Sequence, residues 1–484
     1  MQFNLQPISN VLGVLMIIFG LSILSCGGIA LYYEGGDSDP IIKAGLVTFF
    51  FGTAAWGYKF KSEANVNKKE GYLIVSLAWI LMSLFGALPY YFAGVCPNFA
   101  NAFFESVSGL TTTGASIFGD IESLPKGILM WRSLSQWIGG MGIVVLTIAL
   151  FPLLGIGGIE LFTAESPGPT TDKLHPRIKE TAKRLWFLYF IITVLLILLL
   201  WVGGMTLFDS INHAFATVST GGFSTKNTSI AFYESPFIHY TLAVFMLISG
   251  MNFSILYYGY KRYFRKMWSN DEFRYYLYFC FGALAIISLL VNLVNPGDFE
   301  KNFRDSFFQF ASIVTTTGFV TYDYTTWGNG LTMIFFLLLF IGGCAGSTAG
   351  GIKIIRHTVF VKNMFLEFRR ILHPRAMIRL KINKEVVPPR ILTHILVFLL
   401  VYLLVVVVGS LIMMFLGIDL ATSLSMVATT LGNVGPGIGK VGPPYNFGDF
   451  PDTAKWVCSA LMIIGRLELF TILILFSRSF WRTN

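Results

Sequence analysis

The chain has 484 residues, of which 54% are hydrophobic and only 13% charged, with a mean hydropathy of +0.67. Soluble domains carry about 25% charged residues, so this composition excludes an ordinary soluble globular protein and points to the bilayer as solvent. The formal net charge of +9 is then a matter of which loops carry it.

Residues 1–70 hold two long apolar runs, 10–33 and 41–58. Both are close to the roughly 20 residues that cross a bilayer as a helix. The first starts near Val11 with no basic segment before it and no small-residue cleavage site after it, so it is expected to be a retained span. From residue 71 onward one pattern recurs: a long apolar run, a short one, a Thr/Gly-rich turn, and a second long run. The long runs are 71–93 and 128–154, 185–205 and 237–259, 275–294 and 331–356, and 392–417 and 454–477. The short runs 101–111, 208–218, 304–314 and 420–430 are too short to span and suit re-entrant half-helices. The predicted fold class is an all-α polytopic membrane protein with ten transmembrane helices. Four span–pore-helix–filter–span repeats with pseudo-four-fold symmetry follow two extra N-terminal spans. The repeats are expected over 71–159, 160–260, 261–390 and 391–484, after the element 1–70.

The loops support one orientation. Segments 59–70, 160–184, 259–274 and 353–390, with Arg478 and Arg482, hold 26 of the 35 Lys and Arg residues. The opposite loops hold only Lys126, Lys226, Lys301, Arg304, Lys440 and Lys455. The positive-inside rule makes the basic side cytoplasmic. An even number of spans then places both termini inside and all four short runs on the outer side. The basic excess is expected to set topology and to contact lipid or a cytosolic partner, rather than nucleic acid.

The four turns align on Gly114, Gly222, Gly318 and Gly435. They read Thr112-Thr113-Gly114, Thr220-Gly221-Gly222, Thr316-Thr317-Gly318 and Asn433-Val434-Gly435. A cation stripped of water needs replacement oxygens, and rings of backbone carbonyls supply them without fixed charge. Glycine permits the backbone dihedrals that such a turn demands, and polar backbone at membrane depth must line a cavity or be buried. One such turn alone would more often be a packing break; four on one side predict a shared pore.

The run 331–356 contains Gly342 to Gly351, with five glycines among ten residues. That density suits either a close helix crossing or an unwound loop. Lys353 follows, as a cytoplasmic anchor or as part of that loop. Arg466 lies inside the run 454–477, where an ionisable residue is costly. It either pairs with another helix or faces the pore; Glu468, two positions on, does not share its helix face. Gly139-Gly140-Met141-Gly142 reads as packing or a bend. Glu105 and His213 stand nine residues before Gly114 and Gly222; for Glu105, either attracting cations or a buried capping role is open. The five cysteines have no CxxC or Cys/His spacing, so neither a disulfide framework nor a zinc site is expected. No nucleophile–base pair or phosphate-cradling Gly-Lys-Ser/Thr is present, and no enzyme activity is expected.

Three stretches carry a resemblance: Ala428-Thr429-Thr430-Leu431-Gly432-Asn433-Val434-Gly435-Pro436-Gly437, Ile341-Gly342-Gly343-Cys344-Ala345-Gly346-Ser347-Thr348, and Gly465-Arg466-Leu467-Glu468-Leu469-Phe470-Thr471. On these the chain resembles the Trk/Ktr/HKT superfamily of potassium transporters over essentially its whole length. Within it, the extra N-terminal spans favour the membrane subunits of bacterial Trk systems. The resemblance implies potassium as the ion held by the four turns, because Gly114 stands where sodium-preferring members carry serine. It implies a gate beneath them formed by Gly343, Cys344, Ala345, Gly346, Ser347, Thr348, Gly350, Lys353 and Arg466. Ala349 departs from a more glycine-rich pattern there. It further implies no organic cofactor on this chain, a TrkA-like cytosolic nucleotide-binding regulatory subunit, a homodimer with one pore per protomer, and the bacterial cytoplasmic (inner) membrane. A secondary transporter is the alternative, but those folds usually repeat two-fold.

Overall fold

The computed structural model describes residues 5–57, 68–145 and 174–482. These are mostly helical; the sheet among them is the two-stranded hairpin of Lys381–Ile382 and Glu385–Val386. Among the described residues six helices are long and apolar enough to cross a membrane: Leu5–Tyr33, Ser38–Gly57, Lys69–Phe92, Glu180–Val202, Asp271–Val294 and Pro389–Phe415. Their outward faces carry large exposed apolar side chains, such as Phe281, Leu289, Leu400 and Leu404. In water such a surface would drive aggregation; against lipid it is ordinary.

Three predicted spans are not straight rods. Residues 237–259 form Pro236–Ser249 and Phe253–Tyr260, which meet at 109°. Residues 454–477 form Asp452–Arg466 and Phe470–Phe476, which meet at 106°. Hydropathy does not register either bend, because both arms are apolar. Residues 331–356 start as Asn329–Leu338, leave the helix over 339–353, and resume as Ile354–Leu372. The run 128–154 begins as Lys126–Val145; its remainder, and much of the basic segments 59–70 and 160–184, lies outside the described residues.

The four short helices are Phe99–Leu110, Leu207–Val218, Phe299–Val314 and Leu420–Gly432. Each starts at a side-chain cap. Asn98, Thr206, Asp298 and Asp419 accept from the backbone N–H groups of Asn101, Asp209, Glu300 and Thr422 respectively. Such caps satisfy N–H groups that the helix leaves without partners. The helices then run into the centre of the molecule, where Phe104, Ala216, Phe310 and Val427 have no exposed surface.

Candidate functional site

All four short helices stop in the same way. The N–H groups of Thr113, Gly221, Thr317 and Val434 donate five residues back, to the carbonyls of Ser108, Ala216, Ser312 and Thr429, at 2.7–2.9 Å. Those of Thr112, Thr220, Thr316 and Asn433 donate three residues back, at 3.0–3.3 Å. This paired pattern is the Schellman stop, and it puts one residue in the left-handed region. Here that residue is Thr112, Thr220, Thr316 or Asn433, with φ between +53° and +57°. Glycine or asparagine normally takes such a position; threonine is β-branched and pays strain there. Two residues later Gly114, Gly222, Gly318 and Gly435 are again at positive φ, +78° to +98°.

The turns also meet one another. A Cβ added at Gly114 would collide with the Gly221 carbonyl oxygen, and one at Gly222 with that of Thr317. One at Gly318 would collide with the Val434 carbonyl, and one at Gly435 would press on that of Thr113. Each turn therefore abuts the next, and the fourth abuts the first. The ring leaves no room for a side chain at these glycines. Above it opens a cavity of about 390 Å³, lined by Gly114, Gly222, Gly318 and Gly435 together with Ser116, Thr321 and Tyr445.

Side chains behind the ring fix the first three turns. Glu105 is fully buried and accepts from Arg132 Nε at 2.8 Å, from the Ile117 N–H, and from Ser116 Oγ. His213 bridges the Asp209 carbonyl and Ser224 Oγ. Gln309 Nε2 donates to Thr321 Oγ1. These three lie nine residues before their glycines and tie the helix to the strand-like segment that leaves the turn. Of the two roles open for Glu105, the buried one holds. Arg132 and Gln136 were not singled out from the sequence. Arg132 also donates to the Ser224 carbonyl, and Gln136 donates to the Gly221 carbonyl at 2.6 Å while accepting from the Phe223 N–H. A charged or amide side chain inside a predicted span is the signal that would have found them. Gln136 also makes the second turn unlike the other three.

Directly beneath the ring lies the loop 339–353. Of the two readings open for its glycines, the unwound loop is the one present. The Gly350 N–H donates to Thr316 Oγ1 at 2.6 Å, and a Cβ at Gly350 would press on the Gly432 carbonyl and on Asn433. Thr348 Oγ1 reaches the carbonyls of Val218 and Ser249. The Cys344 N–H donates to the Gly250 carbonyl, and the Gly346 carbonyl accepts from the Phe253 N–H. The bend at 250–252 is thus the cradle of the loop. Ser347 Oγ turns back onto the Cys344 carbonyl. The Gly343 carbonyl accepts from the Ile354 N–H, restarting the helix.

Arg466 closes the assembly. It is 2% exposed, donates Nη1 to the Thr348 carbonyl at 2.7 Å, and donates Nη2 to the Gly139 carbonyl at 3.2 Å. It sits at the second bend and makes no ion pair among the described residues. Glu468 instead pairs with Arg356, and the Lys353 ammonium is buried against the Ala349 carbonyl. The loop contacts the ends of the second, third and fourth short helices, and Arg466 reaches Gly139 in the helix that follows the first turn. Ala345 N–H donates to Glu272 at 2.7 Å, a partner not singled out from the sequence.

Comparison with known proteins gives a consistent result. The TrkH family, described as cation transport proteins, matches residues 38–483. The chain is 40% identical over 99% of its length to the whole of "Trk system potassium uptake protein TrkH" of Escherichia coli. It is 38% identical over 99% of its length to the whole of the protein of that name in Halomonas elongata. The crystal structure of the potassium transporter TrkH from Vibrio parahaemolyticus superimposes with a TM-score of 0.91 at 37% identity, covering 99% of this chain and all of that one.

Proposed function

The chain belongs to the TrkH family of cation transport proteins, and from that membership we propose that it takes up potassium across the cytoplasmic membrane through a pore on the axis of the four turns. The observation that carries this reading is the closure of the ring, in which each filter glycine abuts the carbonyl preceding the next. Four helix C-termini end at that ring, and the negative ends of their dipoles favour a cation there. Carbonyl oxygens from Thr112 to Gly114 and from the matching triplets replace the hydration shell. The ion is the cargo; no resident cofactor is needed for its passage.

In this reading the loop Gly343–Gly350, with Lys353 and Arg466, is the gate. Its contacts with Thr316, Val218 and Gly432 support an obstruction immediately below the ring. The architecture is ten spans, with two preceding four repeats and with the broken helices counted as single crossings. Both termini are cytoplasmic, following the basic loops. A TrkA-like nucleotide-binding subunit acts on the cytoplasmic face, in keeping with relatives named as parts of a Trk system, and the protein works as a homodimer with one pore in each protomer.

Rubidium and sodium flux into proteoliposomes tests the pore. Wild type should pass potassium and rubidium and reject sodium. Gly114→Ser adds a side chain against the Gly221 carbonyl at φ +79°, which distorts the ring and should raise the sodium-to-rubidium ratio several-fold. An unchanged ratio in inserted, folded protein would remove Gly114 from the pathway.

A further inference from the structure

Resting on the reading of 343–350 as a gate, we propose that Glu272 is a positioning residue that latches this loop, and that the cytoplasmic hairpin 381–386 sets the latch through Asn383 and Asp271. The helix Asp271–Val294 begins with two acidic residues that face different partners. Glu272, 1% exposed, accepts the Ala345 N–H at 2.7 Å. Its other carboxylate oxygen has no hydrogen-bond partner among the described residues. Asp271 and Asn383 exchange bonds: the Asp271 N–H donates to Asn383 Oδ1 at 2.7 Å, and the Asn383 N–H donates to Asp271 Oδ2 at 2.9 Å. Asn383 and Lys384 are both at positive φ, +49° and +67°, the two-residue turn that matches strand twist. The hairpin tip is therefore a formed element docked on one helix end, and that same end holds the loop.

Packing ties the same parts together independently. Ala345 lies in one apolar cluster with Leu380, Ile382 and Val387 around the hairpin and with Ile355 and Val359 on the helix that follows the loop. Lys362, on that helix, places its ammonium 3.5 Å from Asp271 and donates to the Lys381 carbonyl. A displacement of the hairpin thus acts on Ala345 twice, through Asp271 and Glu272 on one consecutive backbone, and through the shared cluster. None of these contacts involves the ring or Arg466, so the latch can be cut without touching the pathway. The hairpin tip residues Lys381, Lys384 and Glu385 are exposed, which leaves them open to force from outside the membrane domain.

Cys344, adjacent to Ala345 and buried, reports the loop directly. In a background with Cys26, Cys96, Cys280 and Cys458 replaced by serine or alanine, its modification by a cytoplasmic methanethiosulfonate is measured beside rubidium flux per inserted molecule. Glu272→Ala removes the acceptor and should speed modification by roughly tenfold, the size expected for leaving the buried Ala345 N–H without a partner. Glu272→Gln keeps an acceptor oxygen and should restore most of the slow rate. Asn383→Gly keeps the left-handed turn but cuts the bond to the Asp271 N–H, and should accelerate modification severalfold while the hairpin stays folded. Wild-type modification rates in both Glu272→Ala and Asn383→Gly overturn the latch. Faster modification with unchanged flux upholds the latch and overturns the gate reading on which it rests.

Discussion

Threonine at left-handed φ is the residue-scale signature of this protein. Thr112, Thr220 and Thr316 hold a conformation that asparagine, at the fourth turn, takes more cheaply. Thr316 puts the strained side chain to use, accepting the Gly350 N–H, and Asn433 Nδ2 reaches Thr113 Oγ1 and the Met462 carbonyl. The threonines were legible from the Thr/Gly repetition, but their dihedrals and partners were not. Arg466 was legible as an anomaly, a charge in an apolar run. Its partner, the Thr348 carbonyl 118 residues away in sequence, depends on how two broken helices pack. Arg466→Ala deletes both donors to buried carbonyls. A charge-assisted bond such as the one that holds the loop at Thr348 is worth about 1.5–3 kcal/mol, so basal rubidium flux per inserted molecule should rise at least about tenfold. Arg466→Lys keeps the charge but loses the fork, and should fall between. Flux at or below wild type in both variants assigns Arg466 to folding alone.

At the scale of elements, the short helices were the most legible feature. Their length, their position after a long span and their glycine spacing all follow from polar backbone having to be sheltered at membrane depth. The two bends near a right angle were invisible, because hydropathy averages over apolar arms on either side of a break. Gly250 to Asn252 looks unremarkable in sequence, and Gly465 to Thr471 stands out for its charges and its resemblance rather than for a bend, yet the first bend cradles Cys344 and Gly346 and the second carries Arg466. The glycine-rich loop was legible as a poor helix, and its contacts with Thr316 and Val218 explain why it stays put. Removing residues from 343–350 should therefore raise potassium flux several-fold. A deletion variant that inserts normally and conducts as wild type restores a purely structural role for the loop.

For the whole molecule, charge asymmetry and the repeat pattern together conveyed more than either alone. The concentration of 26 Lys and Arg residues in a few segments set the expected orientation, and the four turns meet in one ring. What composition did not convey is the buried polar lattice that holds the ring, such as Arg132 with Glu105 and Gln136 with the Gly221 carbonyl. The partners lie far apart in sequence, on different elements, and only the packed chain brings them within reach. Under the proposed orientation, the basic segments 259–274 and 353–390 are where a cytosolic subunit is expected to dock. Alanine clusters in either should weaken capture of a nucleotide-binding partner in pull-down by at least several-fold; wild-type capture by every cluster variant moves the docking surface elsewhere.

In the proposed pore the four turns hold a dehydrated potassium-sized cation between them. Anomalous scattering from crystals grown in rubidium tests this without reference to flux. Rubidium peaks are expected on the axis enclosed by the triplets ending at Gly114, Gly222, Gly318 and Gly435, lost when sodium replaces rubidium. Rubidium bound elsewhere in the protein, with no peak inside the ring, would contradict it.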